Sequence, residues 1–173
     1  MTFRTPRQAT DDFRDRMAIV LACISAMPFI AVPTGQDQSS LLFPGRNRFI
    51  PLEGGSEPFQ LSVLHNVRHL QDVNGDWRVS TTHYAYDIQR QRADTSVPKV
   101  VAEFHFHPET PPDAIAEEIK HWIRYPHLHV ETTLDVVARK HHIPSGRVSL
   151  ESVVRFLITQ LGVTTLRADW ETT

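Results

Sequence analysis

The chain has 173 residues, with 18 Lys+Arg against 20 Asp+Glu, ten histidines and one cysteine. That length suits one domain with a real core, and 40% hydrophobic with 22% charged residues excludes a disordered or membrane-embedded chain. The near balance of charge excludes a polybasic protein that holds nucleic acid by bulk counterion release. The lone Cys23 excludes an internal disulfide framework or a metal site made of several thiolates. The histidine count is the anomaly, because protonating all ten would carry the formal charge from −2 to +8.

The apolar stretch from Met17 to Val32 is preceded by Asp11, Asp12 and Asp15, and Pro28 and Pro33 interrupt it. This is neither a leader peptide nor a membrane span, so the expectation is a cytoplasmic protein with no membrane association. Thr10 is read as the N-cap of a first helix with acids in its first turn. Phe13, Met17, Val20, Leu21 and Ile24 form its apolar stripe, and Pro28 ends it. Residues 29 to 58 are punctuated by prolines and glycines and leave room for short extended pieces around Leu41–Phe43 and Arg48–Leu52.

Leu61, Val63, His65, Val67 and His69 alternate with their neighbours as in a strand. The turn Asp72-Val-Asn74-Gly75-Asp76 follows, and then a β-rich run from Trp77 to Ile88, together a β-hairpin. A third strand spans Lys99 to His107 and sets Glu103, His105 and His107 on one face. The segment Pro111 to Trp122 reads as a short helix, Tyr125–Val130 as extended or looped, and Thr132 to about Lys140 as another short helix. The segment His141–Arg147 is read as joining two helices. Ser149 then caps a last helix striped by Leu150, Val153, Val154, Leu157, Ile158 and Leu161, which Gly162 stops.

The whole predicts a single α+β domain over residues 1–173: an antiparallel sheet of three to five strands, with the N-terminal helix and the C-terminal helices packed on one face. Residues 1–58 supply the first helix and an irregular segment, 59–107 the strands, and 108–173 a histidine-rich region.

Seven of the ten histidines fall between His105 and His142. His105-Phe-His107 and His127-Leu-His129 are His-x-His pairs on extended segments, so each pair points one way and can converge on a site. His83 meets the third strand across the ladder, and Glu103 is on hand to orient or assist. Three readings fit. In one, no cofactor is needed: one histidine removes a proton and another donates one, as in metal-free cleavage of a phosphodiester. In the second, His105, His107, His127 and His129 hold a divalent ion such as zinc or manganese. In the third, the histidines are structural and the protein is a non-enzymatic binding or regulatory subunit. Arg124 and Arg147 are candidate phosphate contacts, and Tyr84 and Tyr86 candidate stacking surfaces for bases.

The run Tyr84-Ala-Tyr86-Asp87, the strand end His105-Phe-His107-Pro108, the element Pro126-His127-Leu128-His129 and the closing Ser149–Leu161 helix occur in this order. Over roughly residues 60 to 161 the chain thereby resembles the TumE-like family of small proteins found in toxin–antitoxin modules. The resemblance implies a bacterial, cytoplasmic toxin held inactive by an antitoxin partner and, as is usual for toxins of this size, a ribonuclease-like action on RNA.

Overall fold

The sheet grows from the turn at Asp72–Asp76. In the computed structural model the Asp72 carboxylate accepts the backbone N–H groups of Asn74 and Asp76 at 2.8 and 3.0 Å. Gly75 takes φ 81°, which costs a residue without a Cβ nothing. The turn joins two long strands, labelled β4 (Phe59–Gln71) and β5 (Trp77–Arg90) after three short ones upstream. The structure describes residues 3–45, 48–55, 57–91, 99–107, 126–130 and 141–172.

The short strands are β1 (Ile30–Pro33), β2 (Gln38–Leu42) and β3 (Phe49–Pro51). After β5 come β6 (Lys99–Phe106), β7 (His127–Val130) and β8 (His141–Pro144). All eight form one antiparallel sheet in the order β1-β2-β4-β5-β6-β7-β8, while β3 shares an edge of β4 with β2. The sheet is thus larger than the expected three to five strands. Residues 29 to 58 do pair, in pieces of three to five residues whose lengths the intervening prolines and glycines set. His141–Pro144, expected to be part of a helix–helix connection, is instead a strand paired with β7. The expected helices at 111–122 and 132–140 lie outside the described residues.

The first helix, α1 (Pro6–Leu21), starts earlier than expected. Its N-cap is Thr5, whose side chain accepts from Gln8 N–H, and Pro6 fills the first helical position, where a missing N–H costs nothing. Thr10 is buried inside the helix, donates its hydroxyl back to the Pro6 carbonyl at 3.0 Å, and meets His69 Nε2 at 2.9 Å. No acid lies in the first turn; Asp11 and Asp12 are met by Arg14 and Arg16 at 2.9 Å. The last helix, α2 (Leu150–Leu161), follows its sequence signals. Ser149 accepts from Ser152 N–H, and Gly162 ends the helix in the left-handed region at φ 71°.

Both helices pack on one face of the sheet. Leu61, Val63, Val67, Tyr84, Tyr86, Ile88, Ala102 and Phe106 point to that face and are buried with Met17, Val20 and Leu21 of α1 and Val153, Val154 and Leu157 of α2. Complete burial of one such aliphatic side chain contributes about 1.5–3 kcal/mol. Because side chains alternate along a strand, the intervening residues of β5, β6 and β7 turn to the opposite face. The histidines are there.

Candidate metal centre

Cross-strand register assembles the site in two rows. Ala85 of β5, His105 of β6 and His127 of β7 are Cα partners in one; Asp87, Glu103 and His129 are partners in the other. Three antiparallel strands therefore bring four polar side chains and His127 to neighbouring positions on one face. The ring centroids of His105 and His129, and of His127 and His129, are 4.8 Å apart, and those of His105 and His127 are 5.9 Å apart.

Each of His105, His127 and His129 offers one ligand nitrogen, and these three atoms lie within 4.8 Å of one another. A tetrahedral zinc ion with Zn–N bonds of about 2.0–2.1 Å needs nitrogens about 3.4 Å apart. The widest pair would thus close by at most about 1.4 Å, within the reach of small side-chain rotations. His127 is 2% exposed and His129 8%, so both rings are buried.

Two carboxylates hold these rings. His105 Nε2–H donates to Asp87 Oδ1 at 2.8 Å, and His129 Nδ1–H donates to buried Glu103 Oε2 at 2.8 Å. Each bond fixes a tautomer and leaves the other ring nitrogen, Nδ1 of His105 and Nε2 of His129, with a lone pair to offer. The enclosed Nε2 atoms of His127 and His129 are shielded from water. A carboxylate behind a histidine is the usual outer shell of a protein metal site, where it orients the ring and raises its basicity.

His107 and His83 flank the trio. Their rings meet edge to face at 5.0 Å, and the His107 ring lies 5.3 Å from those of His105 and His127. Burial first, and then the repulsion of His83, His105, His127 and His129, push the His107 imidazole down to about 4. Burial and His105 likewise lower His83, against an opposing pull from Asp87. Lowered in this way, His83 and His107 favour the neutral imidazole, which suits a place beside a cation and opposes proton donation by these two rings.

The sequence-predicted residues divide between the faces. His83, Glu103, His105, His107, His127 and His129 share one, although His107 is outside the group of three close ligand atoms. Tyr84 and Tyr86 do not join them. They alternate with His83, so they point into the core side, 3% and 1% exposed, with their rings stacked 4.8 Å apart. They cannot stack on bases at the histidine site. Arg147 also lies on that side, its guanidinium 4.6 Å above the Phe106 ring. Arg124 lies outside the described residues. Asp87 is the residue the sequence reading missed; its signal is parity with His83 along β5 and register opposite Glu103.

Fold and site together define an α+β protein with a helix-covered sheet face and a histidine–carboxylate cluster on the reverse. Comparison with protein-family models, with curated proteins and with solved structures finds no match in any of the three. Among the described residues no helix is long and apolar enough to cross a membrane.

Proposed function

We propose that the protein is a metal-dependent hydrolase whose divalent ion, zinc by the chemistry of its donors, is held by His105, His127 and His129. The convergence of three imidazole nitrogens within 4.8 Å, two of them on buried rings, carries this reading. Three protein ligands leave a position for water, as catalytic zinc sites do, whereas structural sites are closed by four. An ion there would lower the pKa of a bound water to near neutrality and so would supply hydroxide at neutral pH.

The chain's own residues do the rest. Asp87 and Glu103 keep His105 and His129 in the ligating tautomers and balance the charge of the ion. His107, a neutral imidazole beside the trio, would accept a hydrogen bond from the nucleophilic water and steer its lone pair. The substrate class follows the toxin–antitoxin resemblance and is a phosphodiester of RNA. Attack by the water would form a new P–O bond as its proton passes to His107, the P–O bond to the leaving group would break, and the leaving oxygen would take a proton from solvent. An antitoxin partner that covers this face would silence it.

The test is RNA cleavage by tag-free protein as purified, after chelation, and after zinc is returned. Activity lost on chelation, restored by zinc and absent from His127→Ala and His129→Ala supports the reading. Cleavage that survives chelation would establish the metal-free acid–base reading instead. A protein that neither holds metal nor cleaves would be the binding subunit.

A further inference from the structure

The face that carries the helices holds a second chemical feature, separated from the histidines by the thickness of the sheet. A cavity of about 340 Å³ lies between α1, the middle of β4 and β5, and the start of α2. Ligand sites for small molecules begin at about this size. Its walls are aromatic and flat: Phe13 tilts onto His65 at 5.2 Å, and His65 faces the stacked Tyr84 and Tyr86 rings at 6.1 Å each.

The walls are also polar where a sealed core would be aliphatic. His65 is 6% exposed, and its two ring nitrogens meet Tyr86 Oη and Thr81 Oγ1, both at 2.8 Å. Tyr84 Oη accepts the Val148 N–H at 2.9 Å, which fixes both that ring and the segment leading into α2. A packed interior tolerates such groups only when each has its partner, so this wall has a defined hydrogen-bonding surface.

Charge at the cavity is asymmetric. Arg16 and Arg147 line it against one acid, Glu151. Arg16 Nε is held by Asp12 Oδ2 at 2.9 Å. Arg147 lies over Phe106, and no carboxylate among the described residues is within ion-pair distance of it. Its planar fork, backed by an aromatic ring, suits bidentate capture of a carboxylate.

We propose that this cavity is a binding site for a small planar aromatic carboxylate, its ring seated among Phe13, His65 and Tyr84 and its anionic end on Arg147. The site is independent of the metal reading, because the sheet lies between the two and no residue serves both. Strand β5 links them physically: Tyr84 and Tyr86 form the cavity wall, while the intervening and following residues, Ala85 and Asp87, face the histidines.

The probe is 2-naphthoate, a planar carboxylate small enough for the cavity, titrated by calorimetry against wild-type protein with and without chelator. A ligand of its size with ordinary efficiency gives a Kd of about 1 mM or tighter. Replacing exposed Arg147 with alanine leaves the fold intact and weakens binding about tenfold, the loss expected for a charge-assisted contact. The neutral 2-naphthamide binds wild type about as weakly as 2-naphthoate binds that variant. Met17→Trp, which fills the cavity from α1, abolishes binding, and circular dichroism checks that this variant folds. Absence of saturable binding to wild type would overturn the proposal, as would equal affinity in Arg147→Ala. Binding that disappears with chelator and ignores Arg147→Ala would place the probe on the metal and overturn it equally.

Discussion

Glu103 is the residue whose replacement separates an oriented metal site from a coincidental cluster of histidines. Its carboxylate is buried, as is His129, and the two meet at 2.8 Å. Glu103→Gln keeps the size and an acceptor oxygen, so His129 retains its tautomer and loses only the charge behind it. Glu103→Ala removes acceptor and charge together and leaves the buried His129 N–H to find another partner. Loss of an outer-shell partner costs about 10–100-fold in metal affinity. The glutamine variant therefore belongs near tenfold and the alanine variant near a hundredfold, or about 1.4 and 2.7 kcal/mol. Competition for zinc against a chromogenic chelator measures both. Affinities within twofold of wild type in both variants would show that His129 is not a ligand oriented by Glu103.

Two further predictions concern the scaffold. Burial pushes the His65 imidazole from 6.5 down to about 4, so the unfolded chain takes up its proton first as the pH falls. The stability this group contributes is complete above about pH 6.5 and drains away towards pH 4; the loss between pH 7 and pH 5 is about 2 kcal/mol. Urea titrations of apoprotein at the two pH values should therefore diverge less in His65→Gln than in wild type, and equal divergence would contradict the assignment. Gly55 takes φ 84°, and a Cβ there would approach the Leu161 carbonyl at 2.9 Å, so Gly55→Ala adds left-handed strain to a clash. It should lower stability by about 2 kcal/mol or more in denaturant titration, and a neutral substitution would show that the loop moves freely.

Much of the site can be read from local spacing. Asn74-Gly75 fixes the hairpin, and the two-residue period puts His105 with His107 and His127 with His129 on shared faces. The same period, carried one strand further, separates His83 and Asp87 from Tyr84 and Tyr86. That parity puts Tyr84 and Tyr86 in the core and not at the histidine site. Strand register was harder to foresee. His129 meets Glu103, and His127 meets His105, through a pairing of β6 with β7 across twenty intervening positions, which no local pattern specifies. The edge of the sheet was hidden for another reason: β1, β2 and β3 are too short, and too interrupted by proline and glycine, to show an alternation. The start of α1 was legible in Thr5-Pro6, a cap followed by proline, and was masked by the more conspicuous Thr10 and its acids.

His105, His127 and His129 together should bind one metal ion. Inductively coupled plasma mass spectrometry of tag-free protein tests it most directly, with His127→Ala prepared in parallel. Wild type should hold one equivalent of zinc per chain, and the variant should lose nearly all of it. Wild-type protein free of stoichiometric metal after zinc reconstitution and dialysis, or a variant that retains it, would show that these three histidines do not form a metal site.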